Sequence, residues 1–318
     1  MPENSPSPRA SAWLALLMLL LVLVPAGITL HTVLVPAALN IPSDNPTPYG
    51  YTWSLLLFIT PVVVIGWWLL PNERVRVPRR AFWRTLWLLV PIGCGLDFFF
   101  AHRFFTFANA GATLGIRGPA LGGGVPIEEY IFYFTGFLAV LLIYVWASEY
   151  WMAAYNLPDY GTQSGLLERL LRFQPESLIA GLALVGLAIL YKKLRSPAPE
   201  GFPGYFAVLV IGGMVPSMSL FSTVRRFINW RAFSLAVFMI LLISIFWEAT
   251  LAVPYGWWGY QQSSMMGLFI GAWAGLPVEA VLVWIAVTFG TVIVYESMKI
   301  WQASGKRARA AFLGEHRK

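Results

Sequence analysis

Long uninterrupted runs of apolar residues recur along this chain and constrain its fold more than any other feature. Each run is long enough, or nearly so, to cross about 30 Å of hydrocarbon as a helix. Backbone polar groups find no water in lipid, so spanning segments pair them internally as helices. The runs lie at about 12–36, 51–70, 82–101, 127–147, 177–191, 204–222, 233–252 and 278–298. They predict an all-α, polytopic membrane helix bundle of about eight spans, or seven if the fifth and shortest run does not cross.

The composition supports a membrane protein and excludes several other classes. Only 12% of the 318 residues are charged and 58% are apolar, whereas about a quarter of a typical soluble protein is charged. The single cysteine, Cys94, cannot form a disulfide within the chain. Three histidines and this cysteine, none at ligand spacing, give no reason to expect a metal site. No cofactor is expected, and no nucleic-acid partner, because no basic stretch is interleaved with aromatic residues.

Basic residues predict how the spans are oriented. There are 22 Lys+Arg against 15 Asp+Glu, and Lys and Arg concentrate in cytoplasmic loops. Clusters follow the second, sixth and eighth runs, at 74–84, 225–231 and 306–309. These lie on one side if all eight runs cross, which predicts a protein integral to the cytoplasmic (plasma) membrane with both termini in the cytoplasm. One cluster disagrees, because Lys192, Lys193 and Arg195 would then lie outside.

The second half of the chain repeats the first at a fixed offset. A shift of 151 residues, without a gap, superimposes four anchors. Pro46-x-Pro48-x-Gly50 falls on Pro197-x-Pro199-x-Gly201, Arg80-Ala81-Phe82 on Arg231-Ala232-Phe233, Asp97 on Glu248, and Gly124-Val125-Pro126-Ile127-Glu128 on Gly275-Leu276-Pro277-Val278-Glu279. Four helices per unit give both units the same orientation, so the repeat is parallel about an axis along the membrane normal. The predicted organisation is one four-helix repeat at 1–151, a second at 152–302 and a basic cytoplasmic tail at 303–318.

Acidic residues recur near the membrane edge in both units. Asp97 lies near the end of the third run, and the fourth begins after a proline with Glu128 and Glu129 in its first turn. Ionisable groups within spans are costly and usually functional or paired. Glu248 and Glu279 repeat the pattern at the same spacing. We therefore expect Asp97 and Glu128 to share one pocket, and the two later acids a matching arrangement.

The two adjacent glutamates are expected to have different roles. Neighbours on a helix point about 100° apart, so Glu128 and Glu129 cannot both face one cavity. The second unit has Glu279 at the first place and Ala280 at the second. We therefore expect Glu128 and Glu279 to point inward, with Glu129 supporting. The alternative is that these acids merely complement the helix dipole, which is worth about 0.3–1 kcal/mol.

Aromatic residues accompany each acid and are candidates to line the pocket. Trp and Tyr near membrane ends also form interfacial belts, so this signal is less specific than the acids. The candidates for substrate binding are Phe98, Phe104, Phe107, Trp247, Tyr255, Trp257 and Trp258. Elsewhere, the spacing of Glu296 and Lys299 predicts an i,i+3 pair at the cytoplasmic end.

These motifs resemble the membrane-embedded lycopene cyclases of carotenoid biosynthesis, which occur as bacterial heterodimers and as fused archaeal and fungal forms. The repeat unit of that family has an acid, an aromatic loop and Pro-x-Glu-Glu opening the next span. The resemblance covers most of 75–150 and 225–300, and it departs at Leu96, Glu248 and Ala280, where the family has Trp, Asp and the second Glu. The matching segments are Leu96-Asp97, Phe104 to Phe107 and Pro126-Ile127-Glu128-Glu129, then Trp247-Glu248, Tyr255 to Tyr260 and Pro277-Val278-Glu279-Ala280.

The resemblance implies a cofactor-independent isomerase, an intramolecular lyase, that closes the acyclic end group of a lycopene-like carotenoid into a ring without redox change. An acid protonates the terminal double bond, the cation closes the ring and a base removes a proton. It implies Glu128 as donor, with Asp97 orienting it or sharing its proton, and Glu279 and Glu248 in the matching roles, while the sequence leaves open which acid gives the proton and which takes it. Aromatic faces would stabilise the cation. The implied partners are the carotenoid and the lipid bilayer, with a second copy of the chain or other enzymes of the pathway as further candidates.

Two other functions stay open on the sequence. A carotenoid hydratase would form the same cation and differ only in letting water reach it. A carotenoid- or ligand-binding membrane protein would use the carboxylates to tune a bound polyene without chemistry. Prenyl transfer is disfavoured because the chain has no Asp-rich magnesium motif, and a retinal Schiff base because no lysine lies in the middle of a run.

Overall fold

Long apolar helices make up most of the structure, a computed structural model that describes residues 16–17, 20, 23–24, 47–73, 75 and 77–314. Within this part of the chain, seven helices are long and apolar enough to span a membrane, which confirms an all-α polytopic bundle. They are α1 (Gly50–Leu69), α2 (Arg79–Phe104), α3 (Ile127–Trp151), α5 (Pro175–Leu194), α6 (Gly204–Val224), α7 (Trp230–Ala252) and α8 (Val278–Ser304). Two shorter helices, α4 (Tyr160–Gly165) and α9 (Ala308–Leu313), lie outside these spans. Most of the first predicted run, 12–36, lies outside the described residues.

The fifth and shortest run does form a helix of spanning length. Helix α5 has 20 residues because it begins at Pro175 and continues beyond the apolar stretch through Lys192 and Lys193. Lys192 is fully buried, and its Nζ donates to the carbonyl oxygens of Gln262 and Met265 at 3.1 and 2.6 Å. A contact with a loop therefore accounts for this lysine, which had disagreed with the predicted orientation of the spans.

The outside of the bundle carries large apolar side chains, as a lipid-facing surface requires. Trp67 on α1 and Trp87 on α2 are 79% and 77% exposed. Phe246 on α7 and Leu187 on α5 are also exposed. Together with the seven apolar helices, this surface indicates a lipid bilayer environment.

Three helices form the interior of the bundle. About half of the apolar stretch of α3, α7 and α8 is buried, at 56%, 50% and 50%, whereas the other four long helices are 17–28% buried. Helix α3 packs on α1, α2, α7 and α8, and α8 also packs on α2, α6 and α7. The central position of α3 and α8 matters because each begins with a predicted site acid.

Short β-pairs hold the loops at one end of the bundle. A hairpin of β2 (Arg117–Gly118) and β3 (Val125–Pro126) leads directly into α3. A second hairpin, β5 (Phe269–Ile270) with β6 (Leu276–Pro277), leads in the same way into α8. Between these loops, β1 (Phe105–Thr106) pairs antiparallel with β4 (Gly259–Tyr260).

The order helix, loop, hairpin, helix therefore occurs twice, close to the 151-residue offset. The backbone N–H of Ile127 donates to the carbonyl of Ile116, and that of Val278 donates to Leu268, both at 2.9 Å. The domain boundaries at 151/152 and 302/303 and the orientation of the symmetry axis stay predictions.

Candidate functional site

Glu128 and Glu279 each fasten the loop that precedes their own helix. Oε1 of Glu128 accepts from the backbone N–H of Leu114 at 2.8 Å and from the hydroxyl of Thr52 at 2.6 Å. Oε1 of Glu279 accepts from the backbone N–H of Met266. Both acids are almost completely buried, at 1% and 0% exposure. The recurrence of this acid in the two units thus coincides with a recurring structural contact.

The structure reverses the orientation that the sequence predicted for the adjacent glutamates. Glu129 lines a cavity at the end of the bundle, while Glu128, expected to point inward, is turned towards the loop. Helical geometry correctly predicts that the two glutamate side chains point in different directions, but it does not tell which of them faces the cavity. Glu129 is held there by α1, because the hydroxyl of Tyr51 donates to its Oε1 at 2.7 Å.

The pair Tyr51–Glu129 has no counterpart in the second unit. At the 151-residue offset, Phe202 stands at the position of Tyr51 and Ala280 at that of Glu129. Phe202 is exposed, whereas Tyr51 is buried. Both members of the pair are therefore absent together, which makes this part of the site specific to the first unit.

Asp97 and Glu248 do have equivalent partners. The hydroxyl of Tyr133 donates to Oδ1 of Asp97 at 3.1 Å, and Nε1 of Trp284 donates to Oε1 of Glu248 at 2.9 Å. Tyr133 and Trp284 themselves fall on one another at the 151-residue offset. Glu248 has a second donor, Tyr260, whose hydroxyl bonds to Oε2.

One small cavity brings acids from both units together. It has a volume of about 60 Å³, which is room for a few waters or the end of a chain. Its lining includes Glu129 from the first unit and Glu248 from the second. The other lining residues are Tyr51, Phe105, Phe132, Tyr133, Gly136, Phe137, Tyr205, Trp258, Tyr260, Val283, Trp284 and Val287.

The electrostatics of this cavity are dominated by carboxyl groups and neutral donors. Glu129 lies close enough to interact electrostatically with Asp97, Glu128 and Glu248. Within the described part of the chain, none of these acids forms an ion pair. Burial, followed by the charge of Glu248, raises the pKa of Tyr260 well above its usual value, so this phenol keeps the proton that it donates.

An apolar groove adjoins the acidic cavity. It has a volume of about 660 Å³ and runs between α1, α3 and α7, with Leu57, Ala139 and Ile243 among its lining residues. Phe132, Gly136 and Trp284 line both the groove and the cavity. A long hydrocarbon lying in the groove would therefore bring one end to the carboxyl groups.

The predicted substrate-binding aromatics divide among several places. Trp247 lines the groove and Trp258 lines the cavity. Three others, Phe107, Tyr255 and Trp257, pack with these two tryptophans in one aromatic cluster. Phe104 lies elsewhere, against Tyr205 and Met265, and Phe98 lines neither the groove nor the cavity.

Several site residues were missed by the sequence reasoning. Tyr133 and Trp284 could have been found, because the 151-residue shift aligns two side chains that can donate a hydrogen bond. Tyr51 has a weaker signal, since it directly follows the repeated Pro-x-Pro-x-Gly anchor. Tyr205 has none, because its position in the cavity depends on how α6 packs.

No family model, no curated protein and no solved structure matches this chain.

Proposed function

We propose that this chain is a carotenoid cyclase that isomerises the acyclic end group of a lycopene-like polyene to a ring within the membrane. The observation that carries the proposal is the junction of an apolar groove of about 660 Å³ with a cavity lined by Glu129 and Glu248. The groove suits a hydrocarbon, and the two acids supply the proton transfers that an isomerisation needs. The motif resemblance supports the same substrate class.

The contacts of the acids suggest their roles. Glu129 accepts one described hydrogen bond, from Tyr51, which leaves an oxygen to carry and give a proton. Glu248 accepts from both Trp284 and Tyr260, two donors that hold its oxygens at the cavity where a base is needed. Glu128, the donor implied by the resemblance, instead fastens a loop. We therefore assign proton donation to Glu129 and proton removal to Glu248, with Asp97 and Tyr133 positioning groups beside them.

The reaction balances without a cofactor. The proton of Glu129 adds to the terminal double bond, the resulting cation is attacked by a double bond of the same chain, and a six-membered ring closes. Glu248 then takes a proton from a carbon next to the new cation, so that the product is an isomer of the substrate. The rings of Phe132, Trp247 and Trp258 line the route and can stabilise the cation without reacting with it.

The proposal includes an orientation in the plasma membrane. Described basic residues at the end of the bundle opposite the site include Arg84, Arg225, Arg231 and Arg307. By the preference of Lys and Arg for cytoplasmic loops, this end faces the cytoplasm and the acidic cavity lies towards the outer face.

Pigment analysis in a lycopene-accumulating bacterial host tests the function. The proposal predicts a pigment of unchanged mass with the absorption of a ring-ended carotenoid. A gain of one water would instead identify a hydratase, and unaltered lycopene that co-purifies with the protein would identify a carotenoid-binding protein. The Glu129→Gln variant should lose ring formation at normal protein abundance, whereas Glu128→Gln, which keeps an acceptor oxygen for Leu114, should retain it.

A further inference from the structure

Three buried hydroxyl groups follow one face of α8 through the middle of the bundle. Thr288, Thr291 and Tyr295 are at most 1% exposed, and none of their hydroxyl oxygens has a hydrogen-bond partner among the described residues. Positions three and four apart on a helix share a face. The neighbouring Ser297 differs, because its hydroxyl donates to the carbonyl of Ile293 at 2.8 Å.

Each end of this file of hydroxyls lies near a residue that donates a hydrogen bond to a carboxylate. Trp284, one turn before Thr288, donates to Glu248 in the acidic cavity. At the other end, the ring of Tyr295 contacts that of Tyr144, with centroids 6.0 Å apart. The hydroxyl of Tyr144 donates to Glu296 at 2.8 Å.

Glu296 belongs to a buried ionic cluster. The predicted pair with Lys299 is present at 4.0 Å, and Lys299 also bonds to Glu149. The hydroxyl of Tyr160 donates to Glu296 at 2.9 Å. Burial, followed by the charge of Glu296, raises the pKa of Tyr160 well above its usual value, so this phenol stays protonated. The file therefore lies between the acidic cavity and a second carboxylate cluster near the basic end of the bundle.

The equivalent face of α3 lacks the two threonines. At the 151-residue offset, Phe137 and Val140 stand at the positions of Thr288 and Thr291, although Tyr144 stands at that of Tyr295. Burying an unpaired hydroxyl is energetically costly, so two threonines in place of these apolar residues need a partner. The difference between the units points to water on the α8 face only.

We propose that internal waters bridge Thr288, Thr291 and Tyr295 and form a path for proton exchange between Glu248 and the Glu296–Lys299 cluster. Along α8 these residues are about 4.5 and 6 Å apart, gaps that one or two waters can span. Such waters give each hydroxyl the partner that the protein does not supply.

The role of this path rests on the proposed function. Once Glu248 has taken a proton from the cation, it must release it before the next turnover. The path lets that proton exchange with water at the far end of the bundle before a proton passes across the shared cavity and protonates Glu129 again. Protons that enter substrate during turnover then come from bulk water.

Radiolytic labelling in H₂¹⁸O tests the waters without any catalysis. Ordered water beside a buried ring promotes its oxidation, so Tyr295 should be labelled strongly, whereas Phe82, an equally buried ring in the same apolar core, should not. Thr288→Val and Thr291→Val should lower labelling of Tyr295 about fivefold by removing water ligands, while Ser297→Ala should leave it unchanged. A Tyr295 as unreactive as Phe82 in the unaltered protein would overturn the proposal.

Cyclisation in D₂O tests the path itself. The product of the unaltered enzyme should carry about one deuterium per ring, and the two valine variants should carry less than about half of that at equal conversion, because the proton is then recycled internally. Equal deuterium in all proteins would refute the path. If no cyclisation occurs, the proposed function fails, and the labelling experiment still decides whether the waters exist.

Discussion

Tyr133 and Trp284 perform the same task in the two halves of this chain, since each donates a hydrogen bond to an acid 36 residues before it. The acids differ in what else they bind. Asp97 has no other described partner, whereas Glu248 also accepts from Tyr260. Replacing Tyr133 or Tyr260 by phenylalanine removes one hydroxyl and little else, so the two variants can separate the contributions of these hydrogen bonds.

Tyr133→Phe should destabilise the protein more than Tyr260→Phe. The first leaves a buried carboxyl without its described donor, which costs about 1–3 kcal/mol, while the second leaves Glu248 with Trp284. Thermal unfolding in detergent, followed by tryptophan fluorescence, measures the difference. Equal or reversed losses would show that these hydrogen bonds do not support the acids in the manner described.

Glu128→Ala and Glu279→Ala should both destabilise the loops that these acids fasten. Each change leaves a backbone N–H without its carboxylate acceptor, that of Leu114 or Met266, at a cost of about 1–3 kcal/mol. The free energy of unfolding and the rate of proteolysis of the loops check this expectation. The two Glu→Gln variants are the matched controls, because an amide oxygen can still accept, and they should lose much less. Alanine variants as stable as the glutamine variants would contradict it.

Gly136→Leu should block ring formation without reducing protein abundance. Gly136 lines both the groove and the cavity, and a Cβ placed there would lie 3.7 Å from the ring of Trp284. Gly136→Ala therefore fits at ordinary contact distance and should remain active, whereas a leucine would fill the junction. The measurement is pigment composition per unit of purified protein. An active leucine variant would show that substrate does not pass this junction.

Lys192→Met should loosen the loop between α7 and α8. The side chain keeps its length but no longer donates to the carbonyls of Gln262 and Met265. Leaving the carbonyl of Met265 without this donor should cost about 1–3 kcal/mol, while the carbonyl of Gln262 still accepts from the N–H of Met265 at 3.3 Å. Hydrogen exchange across 259–270 measures the loosening, with Lys193→Met, whose lysine bonds only to an exposed carbonyl, as the control. Unchanged protection in the Lys192 variant would contradict this role.

Much of the fold could be predicted from the lengths of the apolar runs. A helix needs about 20 apolar residues to cross a membrane, and this requirement does not depend on which other helices it packs against. The roles of the acids do not follow in this way. Glu128 and Glu279 recur at the repeat offset, but recurrence cannot distinguish a loop contact from catalysis. Glu129 is held at the cavity by a hydrogen bond from Tyr51 of α1, 78 residues earlier. Such a contact depends on packing between helices, which a hydropathy pattern does not encode.

Conversion of lycopene by the purified protein in liposomes tests the central claim most directly, with Glu129→Gln and Glu128→Gln measured beside the unaltered chain. We expect a ring-ended product of unchanged mass from the unaltered chain and from Glu128→Gln, and none from Glu129→Gln at equal folding. Loss of activity in Glu128→Gln with full activity in Glu129→Gln, or no ring formation by any of the three, would contradict it.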